Sequence, residues 1–198
     1  LEDDELNHIT DINADMNSRI DDSKLAENIL WTPKSFEFSN MFSYGEGNKI
    51  KFDKARGILG IFAPNTAGKS SLFDALAFCI FDRSARTSSS KHILNNRKEN
   101  FYCKFCFEID GIEYYIERTA KWTRKKTNLK VDVNFWKEDG GIPQSLNGEQ
   151  RRETNKNIEH YLGKFEDFVL TTLSVQGNDA LFIDKSQSER KEILSQFI

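Results

Sequence analysis

The stretch Gly57-Ile58-Leu59-Gly60-Ile61-Phe62-Ala63-Pro64-Asn65-Thr66-Ala67-Gly68-Lys69-Ser70-Ser71 decides the fold. It reads as a buried strand, a phosphate-binding loop and the opening of a helix, in the order such a loop demands. A triphosphate needs converging backbone N–H groups, a mobile cation and a ligand for magnesium. Gly68 lets the backbone approach, Lys69 can reach β- and γ-phosphates, and the Ser70 hydroxyl can hold Mg²⁺. A helix starting here adds roughly half a positive charge at its N-terminus. The expected nucleotide cradle is therefore Asn65, Thr66, Ala67, Gly68, Lys69, Ser70 and Ser71, with a nucleoside triphosphate and Mg²⁺ as its ligands. Two residues depart from the strict pattern. Ala63 stands at the first glycine position, and Thr66, where many such loops have glycine, is a β-branched residue that resists positive φ.

Working outward, residues 69–81 form the loop's helix, and Leu72, Phe73, Leu76, Phe78 and Ile80 are spread too widely for a surface stripe, so it should be buried on most sides. Its end, Ala77 to Asp82, imitates a Walker B strand, but its position excludes that role. Upstream, strands at 35–42 and 49–52 flank a turn over 44–48 and suggest a hairpin. Downstream, 83–100 is loop-like. Strands at 101–109 and 113–120 turn at Asp110-Gly111, and a further strand at 128–137 ends in Asp139-Gly140-Gly141, which together predict an antiparallel sheet. A helix over 148–162, stopped by Gly163, leads to 165–173. The final element opens with Ser186-Gln187-Ser188-Glu189, a capping-box pattern, and continues with Ile193, Leu194, Phe197 and Ile198 at long-helix spacing.

The 198 residues allow one full core, and sixteen Phe support a packed interior. No apolar run approaches the roughly 20 residues that span a bilayer, and no secretion signal opens the chain, so the expected setting is cytoplasmic and without membrane contact. The net charge of −3 hides an asymmetry: residues 1–30 carry nine acids against two bases, whereas 83–130 carry twelve Lys and Arg against five acids. The acidic start is a linker helix, a partner-docking helix or a partly ordered solvated extension. The chain opens at Leu1 and closes at Ile198 inside an apparent helix, which reads as a fragment of something longer. Cys103 and Cys106 form a C-x-x-C, but on an alternating strand they point to opposite faces and have no second ligand pair, which favours core packing over zinc.

Asn65-x-x-Gly68-Lys69-Ser70-Ser71-Leu72 is followed much later by Thr172-Leu173-Ser174-Val175-Gln176-Gly177, Phe182-Ile183 and Ser188-Glu189-Arg190-Lys191-Glu192-Ile193-Leu194. In this combination the chain resembles the N-terminal half of an ATPase head of the structural-maintenance-of-chromosomes superfamily. The closest likeness is to the SbcC-type subunit of DNA double-strand-break nucleases, in a version that could be phage-borne. The resemblance covers residues 31–198. It implies an α/β P-loop NTPase lobe of ABC/SMC type over 31–185, a mixed sheet with an antiparallel flank. It also implies that 186–198 begins a coiled coil and that 1–30 is an acidic extension.

It further implies that Gln176 reaches Mg²⁺ and the γ-phosphate side of the nucleotide, so that Lys69 and Gln176 carry the catalytic role and Ser70 and Gln176 the metal. A neutral amide suits that task, since its oxygen can ligate a hard cation without adding charge. The family's basic residue near the phosphates is absent from 39–44, leaving Lys34, Arg83 or Arg86 as substitutes. The implied partners are a second head in a homodimer, the C-terminal half of the same head, a nuclease subunit and double-stranded DNA, in a nucleoid-associated setting. Arg118, Lys121, Arg124, Lys125, Lys126 and Lys130, with Trp122 for stacking, offer a basic run for DNA, of which Lys121, Arg124, Lys125 and Lys126 are the nominated contacts. No signature Ser-Gly-Gly run and no apolar strand ending in Asp-Glu is present, so the chain alone should bind ATP without efficient hydrolysis and act as an ATPase only in the complete head dimer. The rival readings are an ABC-type nucleotide-binding domain and a non-catalytic DNA-binding scaffold with a degraded loop. A GTPase lacks its base-reading motif, because Asn155-Lys156-Asn157-Ile158 has no acid.

Overall fold

The computed structural model describes residues 29–53, 57–58, 60–84, 86–87, 89–124, 127–171, 186–188 and 190–191. Those from Ile29 to Thr171 belong to one compact unit. Its frame is a six-stranded antiparallel sheet in the order β2-β1-β3-β4-β5-β6. The strands are β1 (Thr32–Ser39), β2 (Asn48–Lys51), β3 (Asn100–Ile109), β4 (Ile112–Trp122), β5 (Leu129–Asp139) and β6 (Ile142–Ser145). Among the described residues of this unit, three α-helices accompany them: α1 (Lys69–Phe81), α2 (Arg151–Leu162) and α3 (Phe165–Thr171).

The sheet follows from its turns. Asp110 and Gly111 both take positive φ, 50° and 82°, the backbone a two-residue hairpin needs, and lock Ile109 opposite Ile112. Gly140 and Gly141 repeat the device between β5 and β6. Strand β6 contains Pro143, which a sheet tolerates only where no ladder N–H is required, and it lies at the edge. Pro33 is accommodated similarly, because β1 is bulged between Pro33 and Ser35 and pairs with β2 only from Ser35 onward.

Alternation then gives the sheet two characters. One face carries Phe36 and Phe38 of β1, Phe101, Cys103, Phe105 and Phe107 of β3, Tyr114, Ile116 and Ala120 of β4, and Val131 and Phe135 of β5, all buried. Helix α1 packs on β3 and β4 across this face, and α2 packs on β5. Helix α3 sets Phe165 and Phe168 against Phe81, with ring centroids 5.8 and 5.1 Å away. The opposite face is polar and aromatic. Its Tyr115 and Trp136 stack at 5.2 Å, with the Lys104 ammonium 4.6 and 5.1 Å from the two rings.

The α/β class and the antiparallel sheet agree with the sequence reading, and Gly163 ends α2 as expected, at φ 77°. The buried strand expected at 57–62 is not present. The described residues of that stretch are outside any strand, and Ile58 and Phe62 are 100% and 95% exposed. A strand is stabilised by neighbouring backbones and by packing, and among the described residues no strand lies alongside this one. Helix α1 meets its expectation in its second half, where Ala75 and Ala77 to Phe81 are buried, whereas Phe73 in the first half is exposed. The Cys103 and Cys106 thiols are free and buried, and no metal-ligating cluster occurs among the described residues.

Candidate functional site

The phosphate loop is built by two left-handed residues. Thr66 takes φ 68° and Gly68 φ 94°, with the Ala67 N–H donating to the Pro64 carbonyl at 3.2 Å between them. The β-branched side chain at Thr66 thus occupies the conformation it was expected to resist, at a local cost. Gly68 is the N-cap of α1 and supplies no side chain to it, and the first turn holds no acid. The N–H groups that open α1 are therefore without a side-chain cap, which with the helix dipole makes this end attractive to an anion. Asn65 and Ala67 are exposed, Ser70 stands exposed on the first turn, and Ser71 is half-buried.

Lys69 folds back along its own loop. Its ammonium donates to the carbonyls of Ala63 at 2.7 Å and Pro64 at 2.9 Å, so the cation sits beside the uncapped helix end. Behind the loop, the Tyr44 hydroxyl donates to the Gly68 carbonyl at 3.0 Å. These groups fit a magnesium-bound polyphosphate: an anion-seeking helix end, a neighbouring ammonium and a serine hydroxyl on the same turn. Gln176 lies outside the described residues, as do Lys125, Lys126 and residues 1–28.

The other nominated cations are committed elsewhere. Lys34 pairs with Glu108 at 2.6 Å on the sheet, and this partner raises the lysine's pKa. Arg83 pairs with Glu166 at 2.7 Å and lies over the Phe165 ring at 4.9 Å. Arg86 pairs at 2.9 Å with Asp74, whose buried carboxylate belongs to the second turn of α1. In the basic run, Lys121 and Arg124 are exposed, Lys130 pairs with Asp132 at 3.0 Å, and Trp122 is half-buried against the core.

Arg118 is the correction within that run. It is 0% exposed on the core face, where Nε donates to the Cys79 carbonyl at 2.7 Å and Nη2 to the Ile80 carbonyl at 3.0 Å. These are carbonyls of the last turn of α1, so the guanidinium caps that helix. Asp82, in the left-handed C-cap position at φ 61°, holds the charge. It lies 3.6 Å from Arg118 Nη1, takes a two-pronged pair from Arg151, and accepts from the Asn155 amide at 3.0 Å. Burial lowers the Arg118 pKa and the Asp82 carboxylate opposes that shift. The signal was in the sequence: Tyr114, Ile116, Arg118 and Ala120 share one parity, so counting charge missed what alternation placed inside.

With a phosphate-loop geometry on a helix N-terminus, the chain is of the P-loop class. A scan against protein families matches residues 35–197 to the AAA domain, and the chain belongs to that family. An uncharacterized protein of Acanthamoeba polyphaga mimivirus is 36% identical over 85% of this chain and 13% of its own length. The SbcC component of the SbcCD nuclease of Bacillus subtilis is 28% identical over 82% of this chain and 15% of its own. The DNA double-strand break repair Rad50 ATPase of Methanococcus maripaludis is 28% identical over 83% and 15%. The resemblance to the SbcC-type head is thereby borne out over most of the chain, which spans about one seventh of the length of these relatives. Among the described residues, no helix is long and apolar enough to cross a membrane.

Proposed function

We propose that this chain is the ATP- and magnesium-binding half of an SbcC/Rad50-like DNA-repair ATPase head. The observation that carries the reading is the uncapped N-terminus of α1 with the Lys69 ammonium beside it. The N–H groups of the first turn and Lys69 hold the β- and γ-phosphates, and the Ser70 hydroxyl and Gln176 hold the magnesium. The metal supplies charge neutralisation across the phosphates. Residues 186–198 begin a coiled coil, and Gln176 reports the nucleotide to it. The exposed apolar residues Ile58, Ile61 and Phe62 meet the C-terminal half of the same head. Two heads close on ATP and gate a nuclease partner at double-stranded DNA ends, in a cytoplasmic, nucleoid-associated setting. Lys121 and Arg124, exposed in the described structure, contact the DNA backbone together with Lys125 and Lys126.

Calorimetric titration of Mg-ATP tests this, with GTP as the control. The wild-type chain should bind ATP, Lys69→Ala should abolish binding, and Gln176→Ala should weaken its dependence on magnesium. Equal affinity in wild type and Lys69→Ala would overturn the reading.

A further inference from the structure

Tyr44 lies in the turn between β1 and β2, and two of its features have separate consequences. Its ring is half-buried and packs edge-on against Phe38 at 5.0 Å, a contact phenylalanine would also make. Its hydroxyl reaches farther, to the Gly68 carbonyl at 3.0 Å. That carbonyl already accepts the Leu72 N–H at 3.3 Å, the first bond of α1. The tyrosine takes the second lone pair of the same oxygen. One atom therefore joins the strand turn to the pivot of the phosphate loop.

The turn is well braced for such a role. Asn40 and Phe42 both have positive φ, 61° and 52°, which is costly for a side chain as bulky as phenylalanine and persists only where surroundings impose it. The surroundings are the segment 93–95. The Phe42 N–H donates to the Ile93 carbonyl at 2.6 Å, the Asn95 N–H to the Asn40 carbonyl at 2.9 Å, and Met41 bridges Leu94. The Asn95 amide then donates to the Tyr44 carbonyl at 3.1 Å. Tyr44 is thus fixed from its backbone side by Asn95 and fixes Gly68 through its hydroxyl. Ser43, its neighbour, puts Oγ 2.6 Å from where a Cβ on Gly68 would lie, so the turn and the loop are in close contact.

We propose that Tyr44 is a positioning residue for the phosphate loop, orienting the Gly68 peptide so that the N–H groups of the first turn of α1 converge on a polyphosphate. This rests on the nucleotide reading of the loop. It also gives the loop a reference outside itself, which its own sequence lacks because Thr66 and Ala63 replace two of the usual glycines.

The test is Tyr44→Phe in the full chain, which keeps the ring and removes the hydroxyl. Three quantities are measured: amide hydrogen exchange without nucleotide, Mg-ATP affinity and the melting temperature. The expected result is faster exchange of the Leu72 amide, the first bonded N–H of α1, a two- to tenfold weaker Mg-ATP affinity, in keeping with one neutral hydrogen bond, and an unchanged melting temperature. Asn95→Asp removes the amide donor to Tyr44 while keeping the oxygen that accepts the Arg97 N–H, and should shift exchange and affinity the same way. Unchanged exchange at Leu72, or unchanged affinity in a variant with faster exchange, would overturn the proposal. A wild-type chain that binds no Mg-ATP would overturn the nucleotide reading instead, and the exchange measurement would then decide alone whether Tyr44 holds the loop.

Discussion

A methyl group added at Gly68 would meet Ser43 Oγ at 2.6 Å, on a backbone with φ 94°. Serine can turn away, but the left-handed conformation cannot be avoided if α1 is to start where it does. Gly68→Ala should therefore cost about 1–2 kcal/mol of stability and weaken Mg-ATP binding at least tenfold, as read by calorimetry and thermal melting. Wild-type affinity in that variant would mean that the loop does not need this geometry. Thr66 teaches the complementary lesson. Its residue type argued against positive φ, yet it sits at φ 68°, because a local preference of about a kilocalorie is overruled when the turn around it is fixed. The turn at Gly68 and the start of α1 were legible because their backbone demands are local. Arg118 was not read correctly by charge, since a charge count treats a strand as if both faces met water.

At the scale of elements, α1 is finished at its far end by a charge cluster that capping rules alone would not foresee. Asp82→Ala would leave the fully buried Arg118 without its carboxylate and Arg151 without its two-pronged partner. The expected loss is about 3 kcal/mol, measured by urea denaturation, because an uncompensated buried charge costs far more than the pair itself gains. A loss below about 1 kcal/mol would show that water reaches Arg118. The β3–β4 hairpin was legible from Asp110-Gly111, and the turn that ends β5 from Gly140-Gly141, where only certain residues accept the required φ. Strand β6 was not, because Pro143 masks an edge strand whose other residues are exposed. The apolar run 57–62 was misjudged for the opposite reason: its pattern fits a strand, but a strand exists only beside another backbone.

Across the whole molecule, buried thiols make stability depend on alkaline pH. Burial, followed by the nearby Glu113, pushes the Cys106 thiol up to about 11. Burial raises Cys79 as well, assisted by its neighbour Cys103. A thiol whose folded pKa is raised keeps its proton while the unfolded chain gives it up near pH 9. The stabilisation is complete below that pH and is lost as pH climbs toward 11, by about 2–3 kcal/mol for Cys106. Urea denaturation at pH 7, 9 and 10.5 should show the decline, with a shallower slope in Cys106→Ala; identical slopes would refute the assignment. The order of the sheet has one more consequence. Strands β3 to β6 are joined by short turns and can pair with near neighbours, whereas β1 reaches β3 only by closing a loop over residues 40–99, sixty in all. That closure contains Tyr44, the phosphate loop and α1, and its chain entropy must be met before its contacts form. During folding, the meander is thus a template, and the candidate nucleotide site is assembled when the long-range β1–β3 ladder zips shut.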